Sequence, residues 1–195
     1  MQIGPNSVAC APHDRGRARC CASAVRTRQN HAMRIGLTSD THMPWRVQPL
    51  HAAHLIIHAG DHCELASLEV LTSIGPPFVT IHGEVDTALV CASLPRETEV
   101  TTGNTRIAVI HNASPAAGHS TRLREHFPSA ETVGFGHSHI PYIERDGDGL
   151  LIITPGSPTD RRRRPLFTMA ELVLERGRPP GVEIIDLDAH IRPNL

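Results

Sequence analysis

From Met33 onward, apolar runs of strand length alternate with longer mixed segments. This is the pattern of βαβ units whose strands are buried on both faces. It predicts strands over 33–39, 54–58, 78–83, 106–111 and 131–136. Between them the spacing predicts helices over 47–53, 64–74 and 116–126, the third weakened by Gly118, which costs helix stability wherever it falls inside one.

After Gly136 the helical pattern stops. Strands are predicted at 142–145 and 150–154 around Asp146-Gly147-Asp148-Gly149, a strong hairpin signal, and again at 166–175 and 182–187. The class is therefore α/β, with a core finished by antiparallel strands. One domain spans 33–195. Residues 1–32 lack either period and carry Arg15, Arg17, Arg19, Arg26 and Arg28 against the single acid Asp14, so they read as a disordered leader or as the product of a misassigned start ahead of Met33.

Composition narrows the function. At 195 residues the chain suits one domain with a sizeable core, and 39% apolar with 20% charged residues is ordinary for a globular protein. Aromatic residues make up only 3%, which argues against a base-stacking surface. No apolar run is long enough to span a membrane, and 1–32 lack the apolar stretch of a secretory signal, so the expected location is the cytoplasm, with no membrane partner. The five Cys form no CxxC and are read as free thiols. Histidine is the exception: 14 residues, without a tract.

In an open α/β sheet, ligands bind beyond the carboxyl ends of the strands. The residues found there are of one chemical kind. The first predicted strand leads into Ser39-Asp40-Thr41-His42, the second into Ala59-Gly60-Asp61-His62, the third into Gly83-Glu84-Val85-Asp86, the fourth into His111-Asn112 and the fifth into Gly136-His137-Ser138-His139. Carboxylates and imidazoles in this mixture suit Mn, Fe or Zn at a hydrolytic site. One ion cannot use them all; two ions with a carboxylate between them can, the arrangement that serves phosphoryl chemistry.

The order Asp-x-His, Gly-Asp, Gly-x-x-Asp, His, Gly-His-x-His resembles the calcineurin-like metallophosphoesterase superfamily. It is similar in particular to the compact bacterial and archaeal phosphodiesterase branch related to the retromer scaffold subunit. The likeness extends to Leu55-Ile56-Ile57-His58-Ala59-Gly60-Asp61 and to Thr154-Pro155-Gly156-Ser157-Pro158. It implies a layered β-sandwich flanked by helices, with the metal site at the carboxyl ends of the strands. It also implies that Asp40, His42 and His139 hold one divalent ion, that His111 and His137 hold another, and that Asp61 bridges the two. Mn is the expected metal, with Fe, Zn, Ni or Mg as alternatives. The implied reaction is hydrolysis of a phosphodiester, or a monoester, by in-line attack of a metal-bridging hydroxide.

Two positions depart from the family pattern. Where the family has Gly-Asn, this chain has Gly83-Glu84; a carboxylate still ligates, so Glu84 stays a metal-ligand and substrate-binding candidate, but it adds charge and loses an NH2 donor. Val85 stands where many members carry a His able to serve as general acid, which favours good leaving groups. Asp61 is the principal catalytic candidate and His62 a secondary one; His119 is a secondary candidate for substrate contact.

Alternatives accompany these readings. A single Asp after a strand is often a helix N-cap, and a single His a satisfied polar residue; six ligand-type residues at successive strand ends outweigh that. Asp86 reads as a loop brace, and Ser157 as part of a turn. The four arginines at 161–164 offer a nucleic-acid reading, against a solvated loop as the default. The main partner expected is a small phosphate ester. A nuclease, a non-catalytic interaction scaffold and a homo-oligomer stay open.

Overall fold

The structure is a computed structural model and describes residues 32–42, 48–114 and 117–191. In chain order it contains β1 (Met33–Thr38), a 3-10 turn (Gln48–Ala52), β2 (Leu55–His58), α1 (Leu65–Thr72), β3 (Phe78–Thr80), α2 (Ala88–Ser93), β4 (Glu97–Thr102) and β5 (Thr105–Ile110). There follow α3 (His119–His126), β6 (Thr132–Gly134), β7 (Tyr142–Arg145), β8 (Leu151–Thr154), β9 (Thr168–Leu174), β10 (Gly181–Asp186) and α4 (Leu187–Ile191).

The strands form two five-stranded mixed sheets, ordered β10-β9-β1-β2-β3 and β4-β5-β6-β8-β7. In the first, β1, β2 and β3 are parallel; in the second, β5, β6 and β8 are. Antiparallel strands flank both parallel cores, β9 and β10 on one side of the first sheet, β4 and β7 at the edges of the second.

Strand alternation explains how the layers are held. Ile35, Leu37, Ile57, Ile107, Val109, Leu151, Ile153 and Leu172 turn inward and form one core between the sheets. Their neighbours turn outward. Ala108, Val133 and Ile152 pack with Leu123 and Phe127 of the α3 region, while Ile56 and Met169 pack with Leu50 of the 3-10 turn and Leu187 of α4. The parallel strands are thus apolar on both faces, as their continuous apolar runs predict. The α/β class and the layered sandwich stand as expected.

Several local expectations are corrected. The 64–74 helix is α1; the predicted 47–53 helix is a 3-10 turn, with Val47 outside the described residues. The 116–126 helix starts only at His119, because Gly118 takes a left-handed conformation at φ 66°, and Ala116 lies outside the described residues. The third strand ends at Thr80 rather than at 83. Three elements have no counterpart in the sequence reading: α2, the edge strand β4 and α4, the last of which places a helix after Gly136. The reading of residues 1–32 falls almost wholly outside the described residues. Among the described residues, no helix is long and apolar enough to cross a membrane.

Candidate metal centre

The parallel strands of both sheets deliver their carboxyl-end loops to one place, and backbone hydrogen bonds knit those loops together. Asp40 N donates to Gly60 O at 3.0 Å, His42 N to Asp61 O at 3.4 Å and Gly136 N to His111 O at 2.9 Å. The amide of His137 donates to both carboxylate oxygens of Asp40, at 3.1 and 3.2 Å, which joins the second sheet to the first.

Two groups of ligand-type atoms result. Asp40, His42 and His139 form one; Asp40, Asp61 and His111 form the other; within each, one atom per residue lies within 4.8 Å of the rest. Asp40 is common to both groups, and Asp61 belongs to one. All but His42 are buried, with Asp40 fully so.

The backbone at these residues is unusual. Among the described residues, the non-glycine positions with positive φ are Asp40, His42, Asp61, Cys63, His137, His139 and Arg162. Five of them are ligand candidates. Left-handed conformations are uncommon outside glycine and persist only where the surroundings impose them, so their concentration here marks loops held for a purpose other than stability. Glycine completes the arrangement: a Cβ on Gly83 would lie 2.6 Å from the Asp61 nitrogen, and one on Gly60 would lie 2.8 Å from His111 Nδ1.

Three imidazoles are presented in the manner of metal ligands. His111 Nδ1 donates to Ala59 O at 2.7 Å, and His139 Nδ1 donates to the carbonyl of Asp160. Anchoring Nδ1–H in this way leaves the Nε2 lone pair free in the neutral ring. His42 Nδ1 meets the Cys63 sulfur at 3.0 Å. The Nε2 atoms of His42, His111 and His139 are all buried and find no partner of hydrogen-bond geometry. A buried polar atom without a hydrogen bond is costly, and three gathered at one carboxylate cluster are accounted for by a cation among them. The residues therefore fit divalent metal.

The electrostatics agree. Burial would raise the Asp61 carboxyl, but His111 and the N–H groups of Val85 and Glu84 hold it at about 2. Its Oδ1 accepts from Glu84 N at 2.7 Å and Val85 N at 3.0 Å. Burial works against protonation of His111, yet Asp61 at 3.2 Å, the Ala59 carbonyl and Asp40 raise it to about 9. His139 is likewise raised, against its burial, by Asp40 at 3.3 Å and the Asp160 carbonyl. Two enclosed carboxylates demand positive charge, and in its absence they draw protons onto the rings.

The other candidates sit around this centre. His137 and Glu84 belong to neither group; they face each other at 3.2 Å, with the His137 ring edge-on to His111 at 5.6 Å. His62 is fully buried, stacked 3.9 Å from His58, with Nε2 on Thr80 Oγ1 at 2.7 Å; its side-chain contacts are those of a core residue. His119 faces Glu144 at 3.3 Å in the wall of a neighbouring cavity. Asp86 braces the loops, accepting from Cys63 N at 2.6 Å, Gly83 N at 2.7 Å and Asp61 N at 3.3 Å.

Sequence reasoning passed over Asp160 and the clamp made by its neighbours. Ser157 Oγ donates to the Asp40 carbonyl at 2.7 Å and accepts from Asp160 N at 2.8 Å, while Thr159 Oγ1 donates to the Thr41 carbonyl at 2.6 Å. The Pro-Gly-Ser turn was the signal, but a backbone carbonyl that orients His139 leaves no mark in residue type. Arg162, Arg163 and Arg164, with Ser138 and Ile140, line an open cleft of about 420 Å³ next to the histidine loop.

A family model, the calcineurin-like phosphoesterase superfamily domain, matches residues 33–177. Among solved structures, vacuolar protein sorting 29 from Cryptosporidium parvum is similar with a TM-score of 0.65 and 16% identity, covering 80% of this chain and 97% of that one. A novel archaeal phosphodiesterase gives 0.64 and 17%, covering 79% and 99%, and a predicted phosphoesterase from Streptococcus pneumoniae gives 0.63 and 18%, covering 81% and 91%. At these identities the likeness is one of fold. No curated protein matches the chain by sequence.

Proposed function

Because the chain belongs to the calcineurin-like phosphoesterase superfamily over residues 33–177, we propose that it is a metal-dependent phosphodiesterase using two divalent ions, manganese by preference. The observation that carries this reading is the gathering of three buried Nε2 atoms, none of them hydrogen-bonded, around the Asp40 and Asp61 carboxylates. Asp40, His42 and His139 would hold one ion; Asp40, Asp61 and His111 would hold the other, with His137 and Glu84 at its side. Bound there, such ions supply Lewis-acid polarisation of a phosphoryl oxygen and ionisation of water near neutral pH.

The chain's own residues do the rest. The Ala59 and Asp160 carbonyls fix the tautomers of His111 and His139, and the Glu84 and Val85 amides fix the Asp61 carboxylate, so the ligand set is oriented before anything binds. Glu84 places an extra carboxylate beside His137. That charge opposes a dianionic monoester more than a monoanionic diester, which favours diesters. Val85 has no proton to give, so esters of acidic alcohols are the better substrates.

The test is hydrolysis of a chromogenic phosphodiester and the matching monoester after metal stripping and manganese addition, with Asp61→Asn as control. Diester turnover restored by metal and lost in the variant supports the reading. No turnover of either ester by protein shown to hold two ions refutes it. Protein that retains no metal favours instead the interaction scaffold of the same fold.

A further inference from the structure

We infer that the cavity beside the metal-ligand groups receives a planar, hydrogen-bonding ring carried by the phosphate ester, so that the substrate is an aryl or nucleoside-like phosphodiester. The inference rests on the phosphodiesterase reading and adds the organic half of the substrate.

The cavity has a volume of about 250 Å³ and is lined by Ala113, Ser114, His119, Phe135, Ser138, Ile140, Tyr142 and Thr154. A dry cavity of about 150 Å³ holds benzene, so this one admits a single ring or a compact fused pair. Its position follows from chain order. Ser138 lies between His137 and His139, and Ala113 follows His111 by two residues, so the cavity opens alongside two of the loops that carry the ligand set.

Its walls are those of a ring site. Phe135 and Tyr142 stand edge-on to the His119 imidazole at 5.7 and 5.8 Å, the arrangement aromatic groups adopt with one another and offer to an inserted ring. Tyr142 and Ile140 remain 40% and 38% exposed, large apolar side chains left partly open. The geometry is also set in advance: Tyr142 OH donates to Glu144, whose same carboxylate oxygen faces His119 Nε2 at 3.3 Å.

A purely apolar ring would leave one group unserved. Thr154 is 1% exposed, lines the cavity, and its Oγ1 has no hydrogen-bond partner. A buried hydroxyl of this kind selects a ring with a donor or acceptor of its own.

The experiment measures binding without turnover. Isothermal titration of the manganese-supplied protein compares methylphosphonate, phenylphosphonate and pyridin-3-ylphosphonate, none of which can be hydrolysed. The ring compounds bind about tenfold or more tighter than methylphosphonate, as burial of one ring predicts. Ile140→Ser, at an exposed loop position, removes most of the preference for the ring compounds over methylphosphonate. Thr154→Val lowers the preference for pyridin-3-ylphosphonate over phenylphosphonate. Equal affinity for all three in the unaltered protein overturns the ring site and leaves the phosphodiesterase reading standing. Failure of all three to bind overturns the ring site; because the probes carry the charge of a monoester, the phosphodiesterase reading is then decided by the diester turnover assay alone.

Discussion

The carboxylate of Glu84 accepts a hydrogen bond from the side-chain amide of Asn112 at 2.7 Å. Asn112 directly follows the ligand candidate His111, so the loops after β3 and β5 are tied at the edge of the metal centre. The amide donor that the family pattern places at position 84 is absent, and a neighbouring amide is spent on holding its replacement.

Neutralising that carboxylate should therefore help anionic substrates. Glu84→Gln is expected to lower KM for a phosphodiester roughly fivefold, about 1 kcal/mol for removing one nearby negative charge. The monoester gains more, because it carries the larger charge. Steady-state kinetics on both esters check this, and an unchanged ratio of their KM values counts against an electrostatic role for Glu84.

Asp40 and His42 should differ in what they cost. Asp40 stands in both ligand groups and His42 in one, so Asp40→Asn is expected to abolish retention of both ions and His42→Ala to spare one. Elemental analysis after gel filtration reads the difference directly. Turnover falls by about 100-fold or more in each, at least the loss seen when groups supporting a metal site are removed.

Gly83→Ala tests how tightly the centre is packed. The added Cβ would lie 2.6 Å from Asp61 N, against backbone that has no room to give. A loss of about 2–4 kcal/mol, seen as a fall in Tm of about 5–12 °C, is expected, together with weaker metal retention. A Tm within 1–2 °C of the parent would show that the loops yield more readily than their hydrogen bonds suggest.

At the far end of β7, Asp146 accepts from Arg124 Nη2 at 2.9 Å, Asp148 N at 3.0 Å and Leu150 N at 2.7 Å. Burial alone would raise its carboxyl, but Arg124 and the Leu150 and Asp148 amides hold it below the ordinary value. Its contribution is thus present above the unfolded carboxylate pKa of about 3.9 and is lost as pH falls through the lower folded value. Asp146→Asn should lower stability by about 1–2 kcal/mol at pH 7, and the gap from the parent should close as the pH falls through the lowered folded value. Urea melts at several pH values provide the test.

Removing the metals should destabilise the fold. A ligand present at about a hundred times its Kd contributes about 2.7 kcal/mol, so chelation is expected to lower Tm by roughly 5–10 °C. Calorimetry before and after chelation measures it.

The candidate ligand residues were legible in the sequence because they lie just beyond apolar runs of strand length, and the sheets bring those ends together. Their partners were less so. β4, with Glu97, Thr98, Glu99 and Thr101 along it, is an edge strand with an exposed face, and its polar residues hide the period that buried strands display. α2 covers only six residues, too few for a helical period to emerge. The carbonyls of Ala59 and Asp160, which orient two histidines, belong to the backbone and carry no signature. The cavity around His119 draws on residues from Ala113 to Thr154, which only the folded sheets assemble.

The Ser157–Asp40 hydrogen bond closes a span of 117 residues. During synthesis, a nascent chain that has emerged only as far as His111 carries one complete ligand group, while the loop of Asp40 still lacks His139, the Asp160 carbonyl and the Ser157 hydroxyl. Contacts so distant in sequence form late, after most of the loop-closure entropy has been lost. The group of Asp40, His42 and His139 is therefore completed only once the chain has passed His139 and its Asp160 anchor, and a chain that ends before His139 lacks it.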